Sequence, residues 1–182
     1  MVVIRYILIV AVIIFYAIRL RSSVLRRAAK NKVSLPLFVG ELFIVLLVVV
    51  QLSDHDPLKF QIPLWINYFG LGLGLAGAAF ASVARITLRK NYVPATAAGA
   101  PESVTTSGVY RLVRHPSYLG TLLGFFGFEL ALSSYFILIV LIVTVIIFRQ
   151  IEKEEKIMLV AHEQEWKAFT QKTHYKLIPF VY

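Results

Sequence analysis

Pro116–Phe148, PSYLGTLLGFFGFELALSSYFILIVLIVTVIIF, is a run of 33 residues with one charge, Glu129. As a single helix it would be about 50 Å long, against about 30 Å of bilayer hydrocarbon. Ser133-Ser134 interrupts the run near its middle, so the pattern predicts a tight helical hairpin whose arms are each only just long enough to cross. Gly120, Gly124 and Gly127 recur at helical spacing on the first arm and would let a neighbouring backbone approach closely.

Immediately upstream lies Ser107-Gly108-Val109-Tyr110-Arg111-Leu112-Val113-Arg114-His115, the last polar residues before the apolar run. Charged groups are costly at such a border unless paired or hydrated, so this concentration of arginine, histidine and tyrosine points to a binding role. Proline lacks an N–H and suits a first helical turn, which makes His115 the expected cap and Pro116 the first helical residue. A helix start flanked by two arginines attracts carboxylates or phosphates.

The whole chain fits a membrane setting. Of its 182 residues 58% are hydrophobic and 16% charged, and the mean hydropathy is +0.74, outside the range of a soluble domain of this length. Residues 2–18 form a first expected span with Arg5 near its end, residues 35–52 a second carrying Glu41, and residues 62–84 a third. The glycines of the third, Gly70, Gly72, Gly74 and Gly77, follow no strand, so they are no phosphate loop; Gly70 and Gly74 read as a small-residue pair for helix packing. Six basic residues lie between the first two spans, five between the third span and Pro116, and six from Arg149 onward, while only Arg5 and Lys59 fall on the other side. Five spans with the N-terminus outside and both the Arg-His-Pro border and the C-terminal tail in the cytoplasm satisfy that asymmetry. The formal charge of +9 is thereby read as orientation and headgroup contact, not nucleic-acid binding. With no cysteine and no helical pair of histidines, disulfides, thiolate chemistry and a metal site are not expected. No feature sets an oligomeric state.

The tail is charged but contains an amphipathic pattern. Leu159, His162, Trp166 and Phe169 recur as one helical face, with Glu155 on that face and Glu154 at its flank. An acid on an apolar face suggests a partner cation. The segment from Ala95 to Ser107 is small, contains proline and glycine, and reads as a loop that serves as a lid or binding element.

Three pieces in this order, Leu88-Arg89-Lys90-Asn91-Tyr92, then Gly108-Val109-Tyr110 running into Arg114-His115-Pro116-Ser117-Tyr118-Leu119-Gly120, then Glu154-Glu155 with Leu159, Trp166 and Leu177-Ile178-Pro179, are similar to the isoprenylcysteine carboxyl methyltransferases and the related phospholipid methyltransferases. The resemblance covers roughly the C-terminal half. It implies a helical membrane protein, and with the span pattern above the expected fold is all-α and polytopic, about five transmembrane helices with the last two a tight hairpin, followed by a C-terminal amphipathic cytosolic helix. The chain is thus expected to be a single membrane domain, with three helices in residues 1–84 and, where the resemblance falls, a catalytic half in 85–182. S-adenosylmethionine (AdoMet) is the implied cofactor, surrounded by His115, Pro116, Tyr118 and Leu119, with Glu154 or Glu155 and with His162. Two features depart from the family pattern: His162-Glu163 stands where Phe-Gly is common, and Arg149 lies five residues before Glu154.

The residue types agree with that cofactor. Its ammonium, carboxylate and sulfonium require an acid, donors for an anion and aromatic faces. Arg149 or Arg114 would orient a carboxylate acceptor through a bidentate contact, with Glu155 beside them. An amine acceptor must lose a proton, which brings in Glu41 or His162. Glu41, Asn91 and Tyr92 are the candidate substrate contacts, and the acceptor is a lipophilic molecule entering from the bilayer. The alternatives are phospholipid N-methylation, an NADPH-dependent reductase of the steroid-reductase type, and a non-catalytic scaffold or a transporter using Glu41 and Glu129.

Overall fold

Glycine spacing on two helices determines how the chain packs. The computed structural model describes residues 3–11, 13, 14, 17, 46, 50, 51, 59–88, 91, 93 and 100–181. Its named helices are α1 (Leu64–Leu88), α2 (Pro116–Leu132), α3 (Ile139–Ala161) and α4 (Glu163–Lys172), with short 3-10 turns at Gly108–Arg111 and Tyr135–Leu138. Residues 3–11 are helical as well, and Ile4 and Leu8 pack on Leu71, Ala131 and Leu132. The expected second span, with Glu41, lies outside the described residues except for positions 46, 50 and 51.

Along α1, Gly70, Gly74, Gly77 and Ala81 meet Ala131, Gly127, Gly124 and Gly120 of α2, so rising numbers on one helix face falling numbers on the other. The backbones touch: a methyl group added at Gly70 would lie 2.7 Å from the Ala131 nitrogen and 2.8 Å from the Gly127 oxygen. One at Gly77 would lie 2.8 Å from the Gly120 oxygen. Between helices in lipid there is little hydrophobic driving force, so close van der Waals contact of this kind is what holds the pair. Gly72, on the same helix, faces open space.

The far end of α2 is closed by polar groups. Ser133 adopts a left-handed conformation at φ 56° and its N–H returns to the Glu129 and Leu130 carbonyls. Buried Asn67 donates to the Ala131 carbonyl at 2.9 Å and to Ser133 Oγ at 2.6 Å, satisfying groups that a helix C-terminus otherwise leaves without partners. Glu129 accepts from Gln51 Nε2 at 2.6 Å. Ser134 Oγ then accepts from the Phe136 N–H and starts the next turn.

Two helices among the described residues, Leu64–Leu88 and Tyr135–Ala161, are long and apolar enough to cross a membrane. α1 runs one turn beyond the expected end at Ala84, which carries Arg85 into the helix, where a cation suits the C-terminal dipole. α3 likewise continues through Arg149 and Glu154-Glu155 to Ala161. No glycine or proline interrupts that stretch, and its Glu, Lys, Gln and Ile residues sustain a helix after the lipid-facing pattern ends. His162, at φ −140° and ψ 50°, breaks the chain direction before α4. The expected single face of Leu159, His162, Trp166 and Phe169 is therefore corrected. Leu159 is an exposed residue of α3, whereas Trp166 and Phe169 of α4 are buried with Ala84 and Tyr110.

Overpacking at a closed backbone contact costs about 1–3 kcal/mol. Gly77→Ala should thus lower the unfolding midpoint in detergent by several degrees, while Gly72→Ala, gaining helix propensity in open space, should leave it equal or higher. Equal effects at the two positions would refute the contact.

Candidate active site

The contact with α1 positions the start of α2, and the residues before it turn toward α3. Pro116 is buried at the first helical position, and the His115 carbonyl accepts from the Tyr118 and Leu119 N–H groups at 3.1 and 3.2 Å. The His115 side chain does not cap the helix. Its ring stands between the two acids of α3, with Nδ1 3.6 Å from Glu154 Oε2 and Nε2 3.4 Å from Glu155 Oε1.

Each acid has its own surroundings. Glu154 accepts from the Tyr118 hydroxyl and from Gln150 Nε2 at 3.1 Å. Glu155 lies 3.0 Å from Arg114 Nε through Oε1 and 3.7 Å from Lys176 Nζ through Oε2. The C-terminal segment is the third wall. The N–H groups of Arg114 and His115 donate to the Tyr175 and Lys176 carbonyls, both at 2.9 Å, and Thr173 Oγ1 donates to the Tyr110 carbonyl at 3.3 Å. Fully buried Leu177 anchors this segment against Ile147 and Ile151, with Tyr118 and Leu119 alongside. On α4, a hydrogen bond from Lys167 holds the exposed Glu163 carboxyl below its usual range.

The residues suit the amino-acid end of AdoMet. Arg114 Nε, His115 Nε2 and Glu155 Oε1 are buried atoms at ion-pair distance, yet none of the three makes an aligned hydrogen bond. Buried polar groups normally have hydrogen-bond partners, so a cation donor, an imidazole nitrogen and a carboxylate oxygen in this state fit a ligand carrying both charges.

Of the expected site residues, Arg114, His115, Pro116, Tyr118, Glu154 and Glu155 come together, and Leu119 packs with Tyr118 on the cluster of Ile147, Ile151 and Leu177. Arg149 is exposed on α3 and makes no hydrogen bond or ion pair among the described residues. His162 bonds through Nε2 to the Pro101 carbonyl at 2.9 Å. Asn91 donates to Ser103 and Thr105 at 2.9 and 3.1 Å. These two residues and Glu165, which accepts from the Val104 N–H at 3.4 Å, hold the described part of the expected loop. Tyr92 and Glu41 lie outside the described residues. Sequence reasoning missed Gln150 and Lys176. Gln150 had a signal, standing four residues before Glu154 on one helix face; Lys176 adjoins the Leu177-Ile178-Pro179 piece but has no spacing relation to Glu155.

This is an all-α integral membrane protein with a charged site where the start of α2 meets the end of α3. A family model described as phospholipid methyltransferase matches residues 65–164, more than half of the chain, and the chain belongs to that family. Membership supports an AdoMet-dependent enzyme over the reductase and the non-catalytic alternatives. Among solved structures, the chain is similar to the eukaryotic intramembrane Ras methyltransferase ICMT (isoprenylcysteine carboxyl methyltransferase), with 25% identity and a TM-score of 0.56. The alignment covers 64% of this chain and 43% of that one, so the chain spans less than half the length of that relative. A search of curated proteins finds no match.

Removing the Tyr118 hydroxyl takes a charge-assisted bond from Glu154, worth about 1.5 kcal/mol for a partly exposed acid. Tyr118→Phe should lower the unfolding midpoint of the ligand-free protein, whereas Lys167→Met, which breaks a pair in water, should not. Equal midpoints for Tyr118→Phe and the unaltered protein would contradict the role of that bond.

Proposed function

We propose that this protein transfers a methyl group from AdoMet to a lipophilic acceptor arriving from the bilayer, in a reaction most like carboxyl methylation of an isoprenylcysteine. The observation that carries the reading is the junction of Arg114-His115 with Glu154-Glu155, where buried and half-buried ionisable groups lie within 3.0–3.6 Å and three of their atoms have no aligned partner. Glu155 holds the donor's ammonium, and a cation beside it holds its carboxylate. Tyr118, fixed through its hydroxyl to Glu154, presents a ring face beside His115, the two centroids 6.0 Å apart. The bound donor supplies an electrophilic methyl group on a sulfonium.

Methyl transfer is an in-line displacement, so the protein's part is to align the acceptor and keep water out. A carboxylate acceptor needs no general base. Arg114 orients it, and Arg149, exposed on α3, is available to a headgroup at the membrane border. Phospholipid N-methylation is the second reading, favoured by the family description. It calls for a base, for which His162, whose Nε2–H donates to the Pro101 carbonyl and leaves Nδ1 as the basic nitrogen, and Glu41 are the candidates. We place the site at the cytoplasmic border of five spans, with α2 and α3 as the last two, α4 as the cytosolic amphipathic helix, and residues 85–182 as the catalytic half of a single membrane domain. The N-terminus is then outside.

Calorimetry on the detergent-purified protein should show saturable AdoMet binding and no NADPH binding. His115→Ala and Glu155→Ala should each weaken AdoMet affinity by about tenfold or more while the protein stays folded, the loss expected for one charge-assisted contact. Unchanged affinity in both variants would sink the site.

A further inference from the structure

Lys176 is carried to the site by its own backbone, since its carbonyl accepts the His115 N–H at 2.9 Å. Its side chain is 28% exposed, and its ammonium lies 3.7 Å from Glu155 Oε2, the oxygen opposite the one shared by Arg114 and His115. Three cationic or imidazole groups thus surround a single carboxylate, while Glu154 is engaged by Tyr118 and Gln150. A zwitterion entering here offers an ammonium to Glu155 and so releases one of its cations. Arg114, with a side chain only 10% exposed, sits on the buried oxygen. Lys176 sits on the other, more open, and has a flexible four-carbon stem that can redirect its charge over a few ångströms.

Resting on the AdoMet reading above, we infer that Lys176 binds the α-carboxylate of the methyl donor, so that the donor's amino-acid end is held between Glu155 and the C-terminal segment. The segment Thr173–Leu177 is then part of the ligand site as well as a structural strap, and Lys176 discriminates donors that carry the carboxylate from nucleosides that lack it. Nothing in the reaction is routed through Lys176; its role is binding.

The test is calorimetric titration with two probes, S-adenosylhomocysteine, which has the zwitterionic end, and methylthioadenosine, which has the nucleoside and thioether without it. Lys176→Met should weaken S-adenosylhomocysteine binding by about tenfold or more, leave methylthioadenosine unchanged, and be largely rescued by Lys176→Arg. Equal weakening of both probes, or no weakening of S-adenosylhomocysteine, would overturn the assignment. Failure of the unaltered protein to bind S-adenosylhomocysteine at all would overturn the methyltransferase reading, and this assignment with it.

Discussion

Direct backbone contact between α1 and α2 is the constraint on which the rest of this structure depends. Glycines facing glycines and alanines bring the two helices together without intervening side chains, so sliding one past the other would put Cβ atoms into backbone. That fixes the height of Pro116, and with it Arg114 and His115, relative to the end of α1. A looser interface of leucines would tolerate a shift in that height, and a site built from ion pairs of 3.0–3.7 Å would not survive such a shift.

The second half of the site comes from a helix that does not stop where its apolar pattern stops. α3 carries Glu154 and Glu155 beyond Phe148 as a rigid extension, and the C-terminal segment folds back to pair with the backbone of Arg114 and His115. Three parts of the chain far apart in sequence meet there: the start of α2, the end of α3, and residues 173–177. A ligand site can be assembled in this way, with the acids on a helix and the cations on the segments around it. The loop held by His162, Asn91 and Glu165 packs beside the aromatic cluster of Tyr110, Trp166 and Phe169, next to the same segments.

Much of this was legible in the sequence because it rests on local physics. The small-residue spacing on the third apolar run announced a close helix contact, Pro116 marked a helix start, and Ser133-Ser134 marked its end. The Arg-His-Pro border and the acid pair could be joined because both fall on one side of the charge asymmetry. Hydropathy, however, reports where lipid ends and not where a helix ends. The amphipathic face that the spacing predicts from Leu159 to Phe169 is therefore split by the break at His162. Lys176 was illegible for a different reason: main-chain carbonyls bring it to Glu155, and they leave no trace in residue identity. Asn91 and His162 carry side chains suited to ligand contact, but here their hydrogen bonds go to the neighbouring loop.

The central claim is that these three separate segments form one AdoMet site. Hydrogen–deuterium exchange on the unaltered, detergent-solubilised protein, with and without saturating S-adenosylhomocysteine, tests it most directly. The account predicts that added protection is concentrated in residues 113–119, the end of α3 around Glu154-Glu155, and residues 173–177, all three together. Ligand-induced protection confined to other parts of the chain would contradict it.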